Sequence, residues 1–261
     1  MSALLAASDG YEAPTTSDFW QPLIGSGPFA VTRASIVVLL SVGLLCWWLL
    51  ATTRRMAVVP SRGQYFTEQV YGLVRNSVAR DIIGSHDFLR FVPLLFSMFV
   101  LILLNNLFGV IPPVQFPTMS RVGFPAALAL IVFVLYHVLG IRRMGFGGYF
   151  KHMIPPGVTG PVLLLLFPLE LITYFFTRPV TLALRLFGNM FAGHLLLVLF
   201  ITGGEYLVLH SGVLGYVPVG IFSWIMAFVM TIFELLVEFL QAYIFVLLTA
   251  LYIGGSLADE H

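Results

Sequence analysis

Apolar residues run almost unbroken through five stretches of the chain: Ala34 to Ala51, Phe88 to Ile111, Phe124 to Ile141, Val162 to Ile201 and Pro218 to Gly254. The first three are close to the ~20 residues that a helix needs to cross a bilayer. Between the first two, Gly63 to Gly84 is of another kind. Phe66, Val70, Leu73, Val74, Val78 and Ile82 recur at helical spacing, but Glu68, Arg75 and Arg80 interrupt them too often for a span. That pattern predicts an amphipathic helix lying on a membrane face. "PPVQFP" (Pro112 to Pro117) ends the second run in a turn.

The last two runs are too long to stand upright. A continuous helix from Pro218 to Gly254 measures about 55 Å at 1.5 Å per residue, against a hydrocarbon layer about 30 Å thick. It has no internal proline after Pro218, and Gly220 is its first glycine. One steeply inclined helix is therefore expected, since modest tilt absorbs only a few extra turns. Val162 to Ile201 poses the same problem, with Pro168 and Pro179 expected to kink it. "TGGEYLVLHSGVLG" (Thr202 to Gly215) is the only convincing break between the two. The expected fold is an all-α membrane protein with upright transmembrane helices, one amphipathic surface helix and a hairpin of two long inclined helices. The corresponding divisions are 1–33 (tail), 34–51 (span), 63–84 (surface helix), 88–141 (transmembrane hairpin) and 160–257 (inclined hairpin).

Composition removes the competing classes. The chain of 261 residues is 59% hydrophobic and only 10% charged, where soluble domains carry about 25% charged residues. So few charges cannot cover a soluble surface. A net charge of +1 gives nucleic acid nothing to bind, and the lone Cys46 excludes an internal disulfide framework or a cysteine-rich metal site. The N-terminus has no basic region leading into a long apolar core, so it does not read as a cleaved signal peptide. Arg54, Arg55 and Arg62 follow the first run, and Arg142, Arg143 and Lys151 follow the third. These ends belong in the cytoplasm. The tail with Asp9, Glu12 and Asp18 is then outside.

Ionisable residues inside the membrane are functional candidates by default. Arg185 stands in mid-run in "RPVTLALRLFGNMFAGH" (Arg178 to His194), with no acid of its own helix in reach. Asn189 lies four residues on, about 40° round the helix, and shares its face. His194, nine residues on, points to the opposite face about 13 Å further along. On the last helix Glu234, Glu238 and Gln241 form one polar stripe that Tyr252 continues toward the cytoplasm. Two polar patches at different depths admit water from each side. A histidine beside a glutamate suits proton hand-off near neutral pH. A guanidinium between the patches does not give up its proton. It attracts a carboxylate delivered by a moving partner.

These residues carry a resemblance. "RPVTLALRLFGNMFAGH" followed by "ELLVEFLQAYIFVLLTALYI" (Glu234 to Ile253) resembles subunit a of F-type ATP synthases over Pro161 to Leu257, with weaker support from "NNLFGVIPP" (Asn105 to Pro113). The resemblance implies a stator beside a rotating ring of c subunits, held by the b-subunit stalk and other synthase subunits. It implies two offset half-channels through which protons reach and leave the ring carboxylate. Arg185 then matches the essential arginine facing the ring, Asn189 and Gln241 its polar neighbours, and His194 with Glu234 a pair in the entry half-channel. In some members that pair has its residue types exchanged. Glu170 and Tyr252 are assigned to the inner half-channel. No cofactor and no metal is implied, and the setting is a bacterial plasma membrane or an organellar inner membrane.

Two positions depart from the pattern. Gly109 stands where some members carry an acid, and Glu238 is an acid that many lack. Glu238 is expected to take over part of the outer proton path. Simpler roles are expected elsewhere. Arg178 snorkels to the cytoplasmic interface, His137 is packed or interfacial, and Glu205 is solvated in the outer turn. His86, His152, His210 and His261 carry no assignment. Asn105 and Asn106 either bond between helices or line the channel. A buried ion pair of Arg185 with Glu234 or Glu238 is the structural alternative.

Two other functions compete. A proton-coupled secondary transporter usually shows related halves, and none is evident here. A haem-binding redox subunit needs two facing histidines, for which His137 and His194 are the only pair. "TGG" (Thr202 to Gly204) is no phosphate-cradling loop, so nucleotide chemistry belongs to other chains.

Overall fold

Helices carry almost all of the described residues, which in this computed structural model are 22–24, 31–54, 57–84, 87–111, 115–153, 162–210 and 212–257. They are α1 (Arg33–Thr53), α2 (Arg62–Gly72, wound on through Leu73–Arg80 and Asp81–Ile83), α3 (Phe88–Val110), α4 (Gly123–His152), α5 (Val162–His210) and α6 (Val217–Leu257). All but α2 are long and apolar enough to cross a membrane. A two-stranded antiparallel ribbon, Pro22–Ile24 with Val31–Thr32, precedes α1. Asp9, Glu12, Asp18, Arg55, His86, Pro112 and His261 lie outside the described residues.

The α1 helix turns apolar side chains outward, with Leu39 72% and Trp47 68% exposed. Only a lipid environment makes that arrangement favourable. Its one polar inward residue, Ser41, is fully buried. Asn105 of α3 donates to Ser41 Oγ at 2.9 Å, and Thr118 of the following turn donates to Asn105 Oδ1 at 3.0 Å. Asn105 is therefore an interhelical hydrogen-bonding residue. Each such bond inside a membrane is worth about 0.6 kcal/mol on average.

The α2 helix starts at a Ser61 cap, whose hydroxyl accepts from the Gln64 N–H at 3.3 Å. It buries Val74, Val78 and Ala79 and exposes Arg75 and Arg80; of the other apolar positions read from the sequence, Val70, Leu73 and Ile82 are half-buried and Phe66 is exposed. Its last turn supports α6. A side-chain carbon at Gly254 would stand 3.0 Å from the Ile82 carbonyl.

The α4 helix does not stop at Ile141. It continues through Arg142 and Arg143 and breaks at Gly145, where φ is 72° and ψ is 168°. Only glycine adopts that conformation without strain. The chain beyond folds back, and the Tyr149 ring covers Gly140 at contact distance. Arg143 pairs with Asp87 at 3.5 Å.

The two long helices depart from expectation at both ends. Helix continues through Pro168 and Pro179, and α5 passes through one widened π turn, Thr173–Thr177, immediately before Arg178 and Pro179. Widening re-routes the carbonyl that the proline nitrogen cannot serve. The break expected over Thr202 to Gly215 is shorter. Helix persists through Glu205 and a second π turn to His210, and the chain reverses around Gly212, where φ is 62°. Gly203 and Gly204 look like breakers in sequence, but Gly204 is a packing position. A side-chain carbon there would meet the Trp224 ring at 2.6 Å and the Gly220 carbonyl at 3.0 Å. One on Gly220 would meet the Gly204 carbonyl at 2.9 Å. Ser223 and Trp224 donate to the Phe200 and Ile201 carbonyls at 2.8 and 3.2 Å, fixing the register of the pair. At 49 and 41 residues, α5 and α6 measure about 74 and 62 Å. Both greatly exceed the hydrocarbon layer, so both lie steeply inclined.

Gly220→Val is predicted to force α5 and α6 apart and to cost about 1–3 kcal/mol, the range for overpacking. Gly43→Ala, at a position with open space around it, serves as the control. Thermal unfolding in detergent checks this; equal melting temperatures for the two variants would refute the close crossing.

Candidate functional site

The antiparallel register of α5 and α6 sorts the polar residues into three levels. Glu234 lies directly against Gly193, since a side-chain carbon on that glycine would come 2.8 Å from Glu234 Oε1. Continued at the same rise, this register sets Gln241 opposite Arg185 and brings Tyr252 to the level of Arg178.

The outer level gathers Asn106 and Gly109 of α3, His194 of α5, and Glu234 and Glu238 of α6. Glu238 is only 1% exposed, although it carries a carboxylate. Its Oε1 would lie 3.5 Å from a side-chain carbon on Gly109. Asn106 donates from Nδ2 to the Glu238 backbone carbonyl at 3.2 Å. His194 is buried and hydrogen-bonds the Gly109 backbone. Both carboxylate oxygens of Glu234 and of Glu238, the Asn106 side-chain oxygen and Gln241 Nε2 have no hydrogen-bond partner among the described residues, and all are buried. Interiors satisfy nearly all such atoms with protein or water partners, so four side chains clustered in this state mark a site rather than a packing accident. The two asparagines divide between the roles expected for them. Asn105 is spent on interhelical bonds, while Asn106 keeps an acceptor open toward Glu238.

At the middle level Arg185 is exposed on the outer face of α5, with Asn189 half-buried beside it. No ion pair joins Arg185 to any acid among the described residues. The alternative of an internal pair with Glu234 or Glu238 is thereby removed; both glutamates are buried, whereas Arg185 is exposed. The opposed faces of Arg185 and His194, inferred from their nine-residue spacing, are present: one is exposed and the other buried.

The inner level is aromatic. The Arg178 guanidinium carbon sits 3.5 Å from the Tyr174 ring centre and 5.1 Å from that of Tyr252. Tyr136 of α4 donates to the Tyr174 carbonyl at 2.5 Å, and its ring lies 5.7 Å from Tyr252. His137 donates from Nδ1 to the Phe133 carbonyl at 2.9 Å and packs among Phe133, Tyr136, Tyr149 and Phe175. Arg178 thus does not simply snorkel to the interface; two ring faces hold it. Glu170 is half-buried ahead of the π turn and forms no ion pair among the described residues. Tyr252 is half-buried beside Arg178. Glu205 is exposed in the outer turn.

Sequence reasoning missed Tyr136, Tyr149 and Tyr174. Tyr174 stands four residues before Arg178 and was findable as a same-face pair. Tyr149 reaches the cluster only through the Gly145 reversal, which leaves no periodic signal. His137 belongs to this inner level and His194 to the outer one, so the two do not form a facing ligand pair for haem. Among the described residues no group of three or more His, Cys, Asp or Glu is placed to hold a metal ion.

The architecture has close relatives. The family model described as ATP synthase A chain matches residues 34–254. The chain is 49% identical over 268 residues to the ATP synthase subunit a of Nocardioides sp., covering 98% of this chain and 96% of that one. It is 42% identical to that of Pseudarthrobacter chlorophenolicus, covering 88% and 86%, and 39% identical to that of Parafrankia sp., covering 99% and 88%. A match of this extent, together with a fixed arginine between two polar levels on a pair of inclined helices, places the chain in the family of F-type ATP synthase subunit a.

Proposed function

We propose that the chain conducts protons to and from a rotor carboxylate through two offset half-channels, converting proton flow into rotation of a c ring. It is a multi-pass protein of a bacterial plasma membrane and a membrane-sector subunit of the synthase, not its catalytic one. Its partners are other ATP synthase subunits. In this reading the Arg185 face of α5 meets the c ring, and the b stalk holds the chain still against it.

One observation carries the reading. The cation is exposed and unpaired by any described acid, while the carboxylates are buried and have no hydrogen-bond partner among the described residues. An ion pair between them would be a stable, silent feature; their separation leaves both kinds of group available. Asn106, His194, Glu234 and Glu238 supply an outer path of proton acceptors and donors that ends beside Gln241. Arg185 interrupts direct passage, because guanidinium stays charged. A ring carboxylate arriving there ionised is attracted, and the shed proton has only the cytoplasmic side to leave by. Tyr252 and Glu170 stand on that side. The secondary-transporter and haem readings have no comparable support.

Arg185→Ala is predicted to abolish ATP-driven proton pumping in inverted membrane vesicles while the complex still assembles; normal pumping would refute the role given to that residue. Glu238→Gln is predicted to slow pumping by about tenfold or more, the lower part of the scale for losing a positioned proton-transfer group being larger still. Full pumping would remove Glu238 from the path. His194→Ala is predicted to slow proton entry and to change the dependence of rate on external pH, whereas an unaltered rate–pH profile would make the histidine structural.

A further inference from the structure

Arg178 and Arg185 are seven residues apart on one helix. Seven residues turn an α-helix through almost two full turns, so the two arginines stand on one face with their backbone positions about 10 Å apart along the axis. Because α5 is far longer than the membrane is thick, much of that separation lies in the membrane plane, along the course that passing rotor sites follow. Like Arg185, Arg178 has no ion pair with any acid among the described residues. Among the described residues, the groups found around it are aromatic or neutral: Tyr174 of its own segment, Tyr252 of α6, and Tyr136, His137 and Tyr149 of α4. Glu170, the nearest acid along the same segment, precedes the π turn. An arginine stacked between ring faces loses mobility but keeps its full charge for a third party.

We propose that Arg178, clamped between the Tyr174 and Tyr252 rings, is a second stationary cation of the rotor-facing surface, met by a passing carboxylate on the cytoplasmic flank of Arg185. It is a positioning residue that favours the ionised carboxylate there and so promotes proton release toward the cytoplasm. Arg185 separates the two half-channels; Arg178 sets how readily the inner one empties. The aromatic clamp fixes the charge without neutralising it, which a carboxylate partner would do. The inference rests on the proposed stator function.

The test uses inverted membrane vesicles carrying the whole synthase, with ATP synthesis and ATP-driven pumping followed as the pH on the cytoplasmic face is varied. A unit charge about 10 Å away in an effective dielectric near 20 alters an ionisation equilibrium by about tenfold. Arg178→Gln is therefore expected to assemble and to synthesise ATP with its half-maximal point displaced by about one pH unit toward higher cytoplasmic pH. Without the cation, release requires fewer competing protons. Arg178→Lys is expected to restore most of the wild-type profile. Tyr174→Leu is expected to shift the profile in the same direction as Arg178→Gln, while Tyr174→Phe, which keeps the ring face, does not. This second pair carries the test if Arg178→Gln fails to assemble. An unchanged profile in Arg178→Gln, or identical profiles for the two Tyr174 variants, overturns the inference. Arg185→Ala in the same vesicles separates the two failures: if it pumps normally the stator reading itself falls, and if it is inactive while Arg178→Gln is unaltered only the role of Arg178 falls.

Discussion

The structure depends on keeping opposite charges apart inside a membrane. Arg185 is exposed on α5, while Glu234 is buried against Gly193 of α5 and Glu238 against Gly109 of α3. Attraction in a low-dielectric interior is strong, so flexible helices would bring these groups together and cancel them. Register prevents it. The Gly204–Gly220 crossing and the Ser223 and Trp224 bonds to α5 carbonyls lock α6 at the outer end. Gly254 against the last turn of α2 holds it at the inner end. Between these anchors each polar side chain has one place to go.

The same close approach creates room for the carboxylates. Gly193 admits the Glu234 side chain, which any larger residue would displace. A membrane offers no hydrophobic drive between helices, so small residues that let backbones approach do that work instead. In this chain the small residues serve twice. They bring α5 and α6 into contact, and they shape the pocket in which two acids stay buried without a cationic partner.

Most of the architecture was legible because its signals are local and periodic. Run lengths gave the spans, interrupted apolar spacing gave α2, and the arithmetic of 37 residues against a 30 Å layer gave inclined helices. The opposed faces of Arg185 and His194 came from helical phase alone. What escaped depends on contacts remote in sequence or on irregular winding. The π turn before Pro179, the persistence of helix through Gly203 and Gly204, and the fold-back at Gly145 each replace a simple rule with a tertiary accommodation. The tyrosine clamp on Arg178 joins three segments, and only the Tyr174 contact has a local spacing to announce it.

Gly109 and Glu238 are neighbours across the α3–α6 contact. Some family members place an acid at the position of Gly109, on α3. Here a side chain at that position would collide with Met190 Cε at 2.6 Å and lie 3.5 Å from Glu238 Oε1. The flexible Met190 terminus would have to move aside, and the Glu238 carboxylate would be left in ordinary contact with the new side chain. A second acid there would also set two like charges side by side in a poorly solvated space, which neither ionises easily nor stabilises the helix pair. Glycine at one position and glutamate at the other satisfy both limits. The carboxylate reaches the same region from α6 rather than α3, while Asn106 bonds the Glu238 backbone and His194 bonds that of Gly109. In the function proposed above, a carboxylate oxygen is needed in this region, and here α6 supplies it through Glu238.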